Sequence, residues 1–115
     1  MIEYEILTYQ RFVEACQEIA KQIPKNIKNL YGIPRGGSVP VTYISHLSGL
    51  PVVEKEDITE ETMIVDDISD TGNTLMPFMP NHTATIYYHR QSKVEPTIWI
   101  YEKKDKWIQF PWESK

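Results

Sequence analysis

Three carboxylates and a set of hydroxyl side chains follow a mostly apolar segment near the middle of the chain. The run Thr62–Val65 leads directly into Asp66, Asp67, Ile68, Ser69, Asp70, Thr71, Gly72, Asn73 and Thr74. Carboxylates suit the hydroxyls of a ribose and also Mg²⁺, which prefers oxygen ligands and keeps much of its water. The backbone N–H groups of a small polar turn, helped by the hydroxyls of Thr71 and Thr74, can bind a phosphate. The segment therefore predicts a site for a phosphorylated ribose together with Mg²⁺.

The alternative is an acidic turn that does nothing except cap a helix. A solvated turn has no need for three acids and three hydroxyls so close behind an apolar strand. The binding interpretation is therefore favoured.

A second candidate anion site lies earlier in the chain, where Arg35, Gly36 and Gly37 follow a predicted strand. Glycines let the backbone approach an anion closely, and an arginine side chain can bind two phosphate oxygens at once. Alone, such a turn is weak evidence, because ordinary connections share its composition.

The pattern of elements predicts how these segments are positioned. Thr8 is the expected N-cap of a helix that runs to about Gln22, and Ser38 is the expected cap of a second helix that ends at Gly49. Strands are predicted at 27–33, 51–53, 62–65, 83–88 and 97–101. Strands alternating with helices indicate an α/β fold with a mostly parallel sheet and flanking helices. Ligands bind such sheets at the carboxyl ends of the strands, where both candidate segments lie.

Composition limits the remaining possibilities. The 115 residues fit one domain over 1–115, and the net charge of −4, with both signs mixed along the chain, argues against nucleic-acid binding. No apolar run is long enough to cross a membrane and no signal peptide opens the chain, so we expect a cytosolic protein. The single cysteine, Cys16, falls on the apolar face of the first helix and is expected in the core rather than as a reactive thiol.

The segment Val65–Thr74 resembles the phosphoribosyl diphosphate (PRPP) signature of the type I phosphoribosyltransferases. The resemblance implies that Asp66 and Asp67 face the ribose hydroxyls and hold Mg²⁺, mostly through water and PRPP oxygens. It implies that Asp70 accepts a proton from the base. The 5′-phosphate would be wrapped by Ser69, Thr71, Gly72, Asn73 and Thr74, and the pyrophosphate would be bound by Arg35, Gly36 and Gly37.

The C-terminal segment 105–113 resembles the small base-binding hood of the purine subgroup, particularly xanthine-guanine enzymes and their shorter archaeal and phage-like relatives. There Trp107 would stack on the base and the backbone of Ile108 would contact its edge. Judged from its residues alone, the segment is an aromatic tail that folds onto the core. The subgroup places a lysine at the end of the fourth strand, and the matching position here is His89. His89 could bind the base or lie free on the surface, and the adjacent Arg90 could serve instead.

The function implied is Mg²⁺-dependent transfer of ribose 5-phosphate from PRPP to a 6-oxopurine, by a homodimer. Type I enzymes usually close a long hairpin over PRPP, whereas this chain offers only the short acidic loop Glu54–Glu61. We therefore expect an open site with slow turnover. The loop also favours an alternative, a weakly active or inactive PRPP- or nucleotide-binding sensor or partner protein. A third possibility is another α/β nucleotide-binding enzyme, although no Gly-x-Gly-x-x-Gly or Walker-type turn is present.

Overall fold

Helices and strands alternate along residues 2–113, the part of the chain that the computed structural model describes. In chain order they are β1 (Tyr4–Ile6), α1 (Tyr9–Gln22), β2 (Asn29–Gly32), α2 (Ser38–Ser48), β3 (Thr62–Ser69), β4 (Thr83–His89), β5 (Ile98–Lys103) and β6 (Trp107–Gln109). Four of the strands form an all-parallel sheet in the order β2-β3-β4-β5. The predicted α/β fold with a mostly parallel sheet is confirmed.

The ends of the two helices largely follow the predicted capping. The hydroxyl of Thr8 accepts a hydrogen bond from the backbone N–H of Arg11 at 3.2 Å, as an N-cap should. Gly49 ends α2 with a φ of 78°. The predicted cap at Ser38 is wrong, because the carbonyl of Gly37 already accepts the N–H of Val41 and makes Ser38 the first helical residue.

The two helices cover one face of the sheet, and loops cover the other. Phe12, Cys16 and Ile19 of α1 pack into the same buried cluster as Met63 and Val65 of β3. Cys16 is fully buried in the core, as predicted, and this burial raises the pKa of its thiol to about 12. The opposite face carries a second cluster formed by Tyr31, Ile33, Ile64, Leu75 and Val94.

Two connecting segments differ from the predictions. The strand expected at 51–53 is reduced to a single parallel bridge between Val52 and Leu30. The loop 54–61 has a short 3-10 helix, Lys55–Asp57, with exposed acids. On either side of that helix, Val53 and Ile58 pack against the second cluster and hold the loop to the sheet.

Strand β3 is longer than predicted, and this changes where the acids lie. Asp66, Ile68 and Ser69 continue the ladder with β4, opposite Thr85, Tyr87 and Tyr88. Asp66 and Asp67 therefore belong to the end of a strand rather than to a turn.

The hood predicted near the C-terminus is built by β6, which pairs in parallel with β1 in a separate two-stranded sheet. Strand β1 has no counterpart among the elements predicted from the sequence. Tyr4 lies opposite Trp107, and Glu5 accepts a hydrogen bond from the hydroxyl of Tyr87 in β4 at 2.5 Å. This bond ties the hood to the main sheet. Within residues 2–113, no helix is both long enough and apolar enough to cross a membrane.

Candidate active site

The two adjacent acids at the end of β3 are crowded and largely hidden from water. Asp66 is 6% exposed, and its Oδ1 accepts the backbone N–H of Asp67 at 2.9 Å. Burial raises the pKa of Asp66 to about 8, and the charge of Asp67 adds to this effect. Burial also raises the pKa of Asp67. At neutral pH the pair therefore retains a proton. A nearby cation, or hydrogen bonds donated by the hydroxyls of a sugar, would stabilise the ionised pair and let this proton leave.

The pair offers two carboxylates, and the described residues contain no group of three or more His, Cys, Asp or Glu side chains placed to hold a metal. Mg²⁺ commonly binds through one or two carboxylates, with water and substrate phosphates completing its shell. The chemistry of the pair fits that mode of binding.

The polar turn after β3 lines a small open cavity of about 150 Å³. Gly72 has a φ of 90°, a left-handed conformation that favours glycine. A Cβ atom on Gly72 would lie 2.7 Å from the backbone nitrogen of Lys93, and that same N–H donates to the carbonyl of Thr71 at 2.9 Å. The turn is thus braced from behind by the loop that follows β4. The cavity is lined by Asp66, Asp67, Ile68, Ser69, Asp70, Thr71, Gly72, Thr74 and Leu75.

Two of the predicted phosphate-site side chains are engaged with this bracing loop. The hydroxyl of Ser69 donates to the carbonyl of Val94 at 2.8 Å and contacts the hydroxyl of Ser92. The Ser69 hydroxyl is thus engaged within the protein, because the extension of β3 buries Ser69. Asn73 accepts a hydrogen bond from Nζ of Lys93 at 3.2 Å, which places a cation beside the turn that the sequence analysis did not identify.

The Arg-Gly-Gly segment after β2 packs directly against the end of β3. A Cβ atom on Gly36 would lie 2.6 Å from the carboxylate of Asp67, and one on Gly37 would overlap the carbonyl oxygen of Val65. The peptide bond between Pro34 and Arg35 is cis. Arg35 is exposed, and none of the ion pairs in residues 2–113 involves it. The segment therefore presents a cation and closely packed backbone beside the carboxylate pair.

Asp70 lies between two basic side chains from neighbouring strands. Its Oδ1 is 2.8 Å from Nδ1 of His89 at the end of β4 and 3.4 Å from Nζ of Lys103 at the end of β5. His89 and Lys103 are paired in the β4–β5 ladder, which brings both to the same edge of the sheet. Lys103 lies beyond residue 101, where the last sheet strand predicted from the sequence ends, so it has no counterpart among the predicted site residues.

The predicted base-binding residues are only partly brought together. Trp107 is 52% exposed, and Nζ of Lys103 lies 4.7 Å from the centre of its ring. Ile108 points inward and is buried. Arg90 lies beyond the end of β4, where its Nε bonds the carboxylate of Glu102 at 2.5 Å rather than Asp70. Glu102 thus holds the charge of Arg90 at the surface, and the alternative in which Arg90 replaces His89 stays a prediction that this pairing does not favour.

The aromatic tail also has the structural role that its residues suggested. The rings of Phe110 and Trp112 are stacked at 5.0 Å, and Trp112 packs edge-on against Phe12 of α1. Together with the β1–β6 pairing, these contacts fix the hood above the carboxyl ends of β4 and β5.

Comparison with known proteins gives a consistent picture. A xanthine-guanine phosphoribosyltransferase of Nitratidesulfovibrio vulgaris is 30% identical over 76% of this chain and 70% of its own length. An enzyme of the same name from Idiomarina loihiensis is 26% identical over 93% of this chain and 85% of its own length. The crystal structure of a purine phosphoribosyltransferase from Pyrococcus horikoshii superposes with a TM-score of 0.86 at 24% identity, over 99% of this chain and 96% of that one. No family model matches the chain.

Proposed function

This chain belongs to the type I phosphoribosyltransferases, in the purine subgroup that contains the xanthine-guanine enzymes, and we propose that it transfers ribose 5-phosphate from PRPP to a 6-oxopurine. Pyrophosphate is the second product. The reaction makes a nucleotide from a free base, which is the chemistry of purine salvage.

Within the site, one contact between two segments supports the proposal most directly. The Arg35–Gly37 segment and the acid pair of β3 are in contact, through Gly36 and Asp67, beside the cavity of the polar turn. PRPP carries its pyrophosphate and its 5′-phosphate on opposite sides of a ribose ring. Two anion-binding segments with a carboxylate pair between them match that order of groups.

The roles we propose follow from this placement. Asp66 and Asp67 bind the ribose hydroxyls, and the backbone of the turn from Ser69 to Thr74 wraps the 5′-phosphate. Arg35, Gly36 and Gly37 bind the pyrophosphate, where the arginine stabilises the charge that develops on the leaving group. Asp70 accepts the proton that the attacking nitrogen of the base loses.

For the base, Trp107 supplies a stacking surface and the backbone of Ile108 contacts its edge. Stacking on an aromatic ring holds a flat heterocycle without selecting among bases. His89 belongs to the base site through its hydrogen bond to Asp70. Selection therefore depends on the polar groups around Asp70.

We also propose that Mg²⁺ is required and that Asp66 and Asp67 hold it, mostly through water and PRPP oxygens. When bound, Mg²⁺ would neutralise charge on the pyrophosphate. The raised pKa values of the two acids support the proposal, because a nearby cation would stabilise their ionised forms. A homodimer, a cytosolic location and a single domain over 1–115 remain predictions drawn from the resemblance and the composition.

A second candidate function has one observation in its favour. The loop 54–61 is short, acidic and held to the sheet by Val53 and Ile58, so it is not built to close over PRPP. A protein that binds PRPP or a nucleotide without turnover would need no such closure.

One experiment separates the two candidates. The purified chain is incubated with PRPP, Mg²⁺ and hypoxanthine, guanine, xanthine or adenine in turn, and nucleotide and pyrophosphate are quantified. We expect nucleotide from at least one 6-oxopurine, with one pyrophosphate for each nucleotide. PRPP binding without nucleotide from any of the four bases would favour the sensor and contradict the transferase.

A further inference from the structure

A hydrogen bond between two side chains joins the hood to the main sheet. Glu5 lies in the middle of β1, and its carboxylate accepts from the hydroxyl of Tyr87 in β4 at 2.5 Å. Tyr87 is fully buried, and burial raises the pKa of its phenol, with the hydrogen bond to Glu5 adding to the effect. The phenol therefore keeps its proton and is the donor of this bond.

The strand pairing inside the hood links the position of Glu5 to the proposed base-binding residues. Glu5 lies opposite Ile108 in the β1–β6 register. The backbone N–H of Trp107 donates to the carbonyl of Glu3 at 3.1 Å, directly before β1. Because the backbones of β1 and β6 are held together in this way, the place of Glu5 sets the place of both base-binding residues.

Tyr87 also connects the hood with the reacting end of the site. It lies two residues before His89 on β4, and His89 contacts the proposed proton acceptor Asp70 at 2.8 Å. The ring of Tyr87 packs edge-on against Phe110, which directly follows β6, with the ring centres 6.0 Å apart. One strand of the main sheet thus carries both the anchor of the hood and the partner of Asp70.

We propose that Glu5 is a positioning residue, which through Tyr87 fixes the distance between the hood and Asp70 and so the space in which the base binds. This inference rests on the proposed function. Hydrophobic contacts such as that of Phe110 are non-directional and hold two surfaces together over a range of positions. A hydrogen bond to a carboxylate, in contrast, defines both a distance and a direction.

The alternative is that Glu5 serves the stability of the fold alone. Placing a carboxylate against apolar side chains costs free energy, and an apolar residue at this position would pack at a lower cost. Glu5 is the residue of β1 that turns inward, whereas Tyr4 and Ile6 on either side of it are exposed. The inward contact of β1 is therefore a directional polar bond, which suits a positioning role better than a purely stabilising one.

The test compares Glu5→Val with Glu5→Gln, and uses Glu3→Val, which changes an exposed acid beside β1, as the matched control. Valine suits a strand but removes the acceptor, whereas glutamine keeps an acceptor oxygen at nearly the same place. Steady-state kinetics give kcat and KM for hypoxanthine at saturating PRPP and Mg²⁺. Calorimetry gives the affinities for PRPP, GMP and ribose 5-phosphate, and urea unfolding gives the stability. Because ribose 5-phosphate lacks the base of GMP, the ratio of these two affinities isolates the contribution of the base.

We expect Glu5→Val to raise the KM for hypoxanthine by about tenfold, the size of effect that the loss of one hydrogen bond to a charged group produces. PRPP affinity should be unchanged, and the preference for GMP over ribose 5-phosphate should fall by a similar factor. Glu5→Gln should stay within about threefold of the wild type in both quantities. Glu3→Val should match the wild type.

Two results would overturn the inference. A merely structural role would lower the free energy of unfolding of Glu5→Val and leave both the KM for hypoxanthine and the affinity ratio unchanged. Equal losses in the valine and glutamine variants would show that the bond to Tyr87 does not place the hood. Tyr87→Phe removes the same bond from its other side and should reproduce the effects of Glu5→Val, so it decides the matter if that variant does not fold.

The outcomes also separate this inference from the proposed function. If the wild-type chain forms nucleotide but Glu5→Val keeps its KM for hypoxanthine, the role of Glu5 is wrong and the transferase stands. If the wild type binds PRPP but converts no base, the transferase is wrong. The affinity for GMP relative to ribose 5-phosphate then still decides whether Glu5 positions a base.

Discussion

Gly36 lies so close to Asp67 that a single added methyl group would come within 2.6 Å of the Asp67 carboxylate. The neighbouring Gly37 faces the backbone carbonyl of Val65 instead. A side chain can rotate away from a new methyl group, whereas a strand backbone cannot move without disturbing the sheet. The two adjacent glycines should therefore respond differently to the same substitution.

We expect Gly36→Ala to weaken PRPP binding by about tenfold or more, which corresponds to about 1.4 kcal/mol, with little change in stability. Gly37→Ala should lower the free energy of unfolding by about 1–3 kcal/mol, as overpacking does. Calorimetric titration with PRPP and Mg²⁺ and urea unfolding measure the two effects. Equal loss of stability in both variants would show that the Asp67 side chain cannot rotate away from a methyl group at position 36.

Replacing Asp66 by asparagine should stabilise the fold while weakening ligand binding. The pKa of Asp66 rises from 3.8 to about 8 on folding, so between these pH values the folded chain keeps a proton that the unfolded chain releases. Wild-type stability should therefore fall as pH rises through this window. Asp66→Asn cannot ionise and should gain at least about 1 kcal/mol over the wild type at pH 8, with a smaller gain at pH 5.

Urea unfolding of Asp66→Asn and the wild type at the two pH values checks this expectation. Asp57→Asn, which changes an exposed acid in the 3-10 helix, is the matched control and should show no pH-dependent gain. The affinity of Asp66→Asn for PRPP with Mg²⁺ should fall at least tenfold. A variant that is less stable than the wild type at pH 8 would show that the Asp66 carboxylate is not held at an energetic cost.

His89 should act through its hydrogen bond to Asp70. Asparagine places an N–H donor near the position of Nδ1, so His89→Asn should keep most of the activity. His89→Leu removes the donor and should lower kcat by tenfold or more, about 1.4 kcal/mol in the activation free energy, with unchanged PRPP affinity. Arg90→Gln is the control, because Arg90 bonds Glu102 rather than Asp70. Steady-state kinetics with hypoxanthine would refute this role if both His89 variants lost activity equally.

The short loop should leave the site open to water. Its acids are exposed, and they would repel pyrophosphate if the loop folded over it. We expect turnover near the low end of the usual range of about 1–10³ s⁻¹, together with detectable release of pyrophosphate from PRPP when no base is present. The rate of pyrophosphate release is measured with hypoxanthine and without it. The same measurement on Asp66→Asn gives the background rate. Fast turnover without base-free release would mean that a neighbouring subunit closes the site.

The local parts of the site could be predicted from the sequence because they are contiguous. The order of residues from Asp66 to Thr74 carries the acids, the hydroxyls and the glycine within one segment, so no tertiary information was needed. The helix from Thr8 to Gln22 followed from its cap and its apolar spacing for the same reason. What could not be predicted depends on register between strands.

Lys103 is the clearest example. Its contact with Asp70 joins residues far apart in the chain and exists because His89 and Lys103 are paired across β4 and β5. The three residues of β1 were missed because Tyr4 and Ile6 remain exposed and only Glu5 turns inward. The length of β3 was underestimated because charged residues such as Asp66 are unfavourable in a strand unless a partner strand continues beside them.

The small sheet formed by β1 and β6 has a consequence for the order in which the molecule assembles. It joins strands from opposite ends of the described chain. Closing so long a loop costs chain entropy, so we expect this small sheet to form after the main sheet that lies between its strands in the chain. The turn after β3 needs only β2, β3, β4 and the loop at Lys93. A refolding chain should therefore regain its phosphate site before its base site.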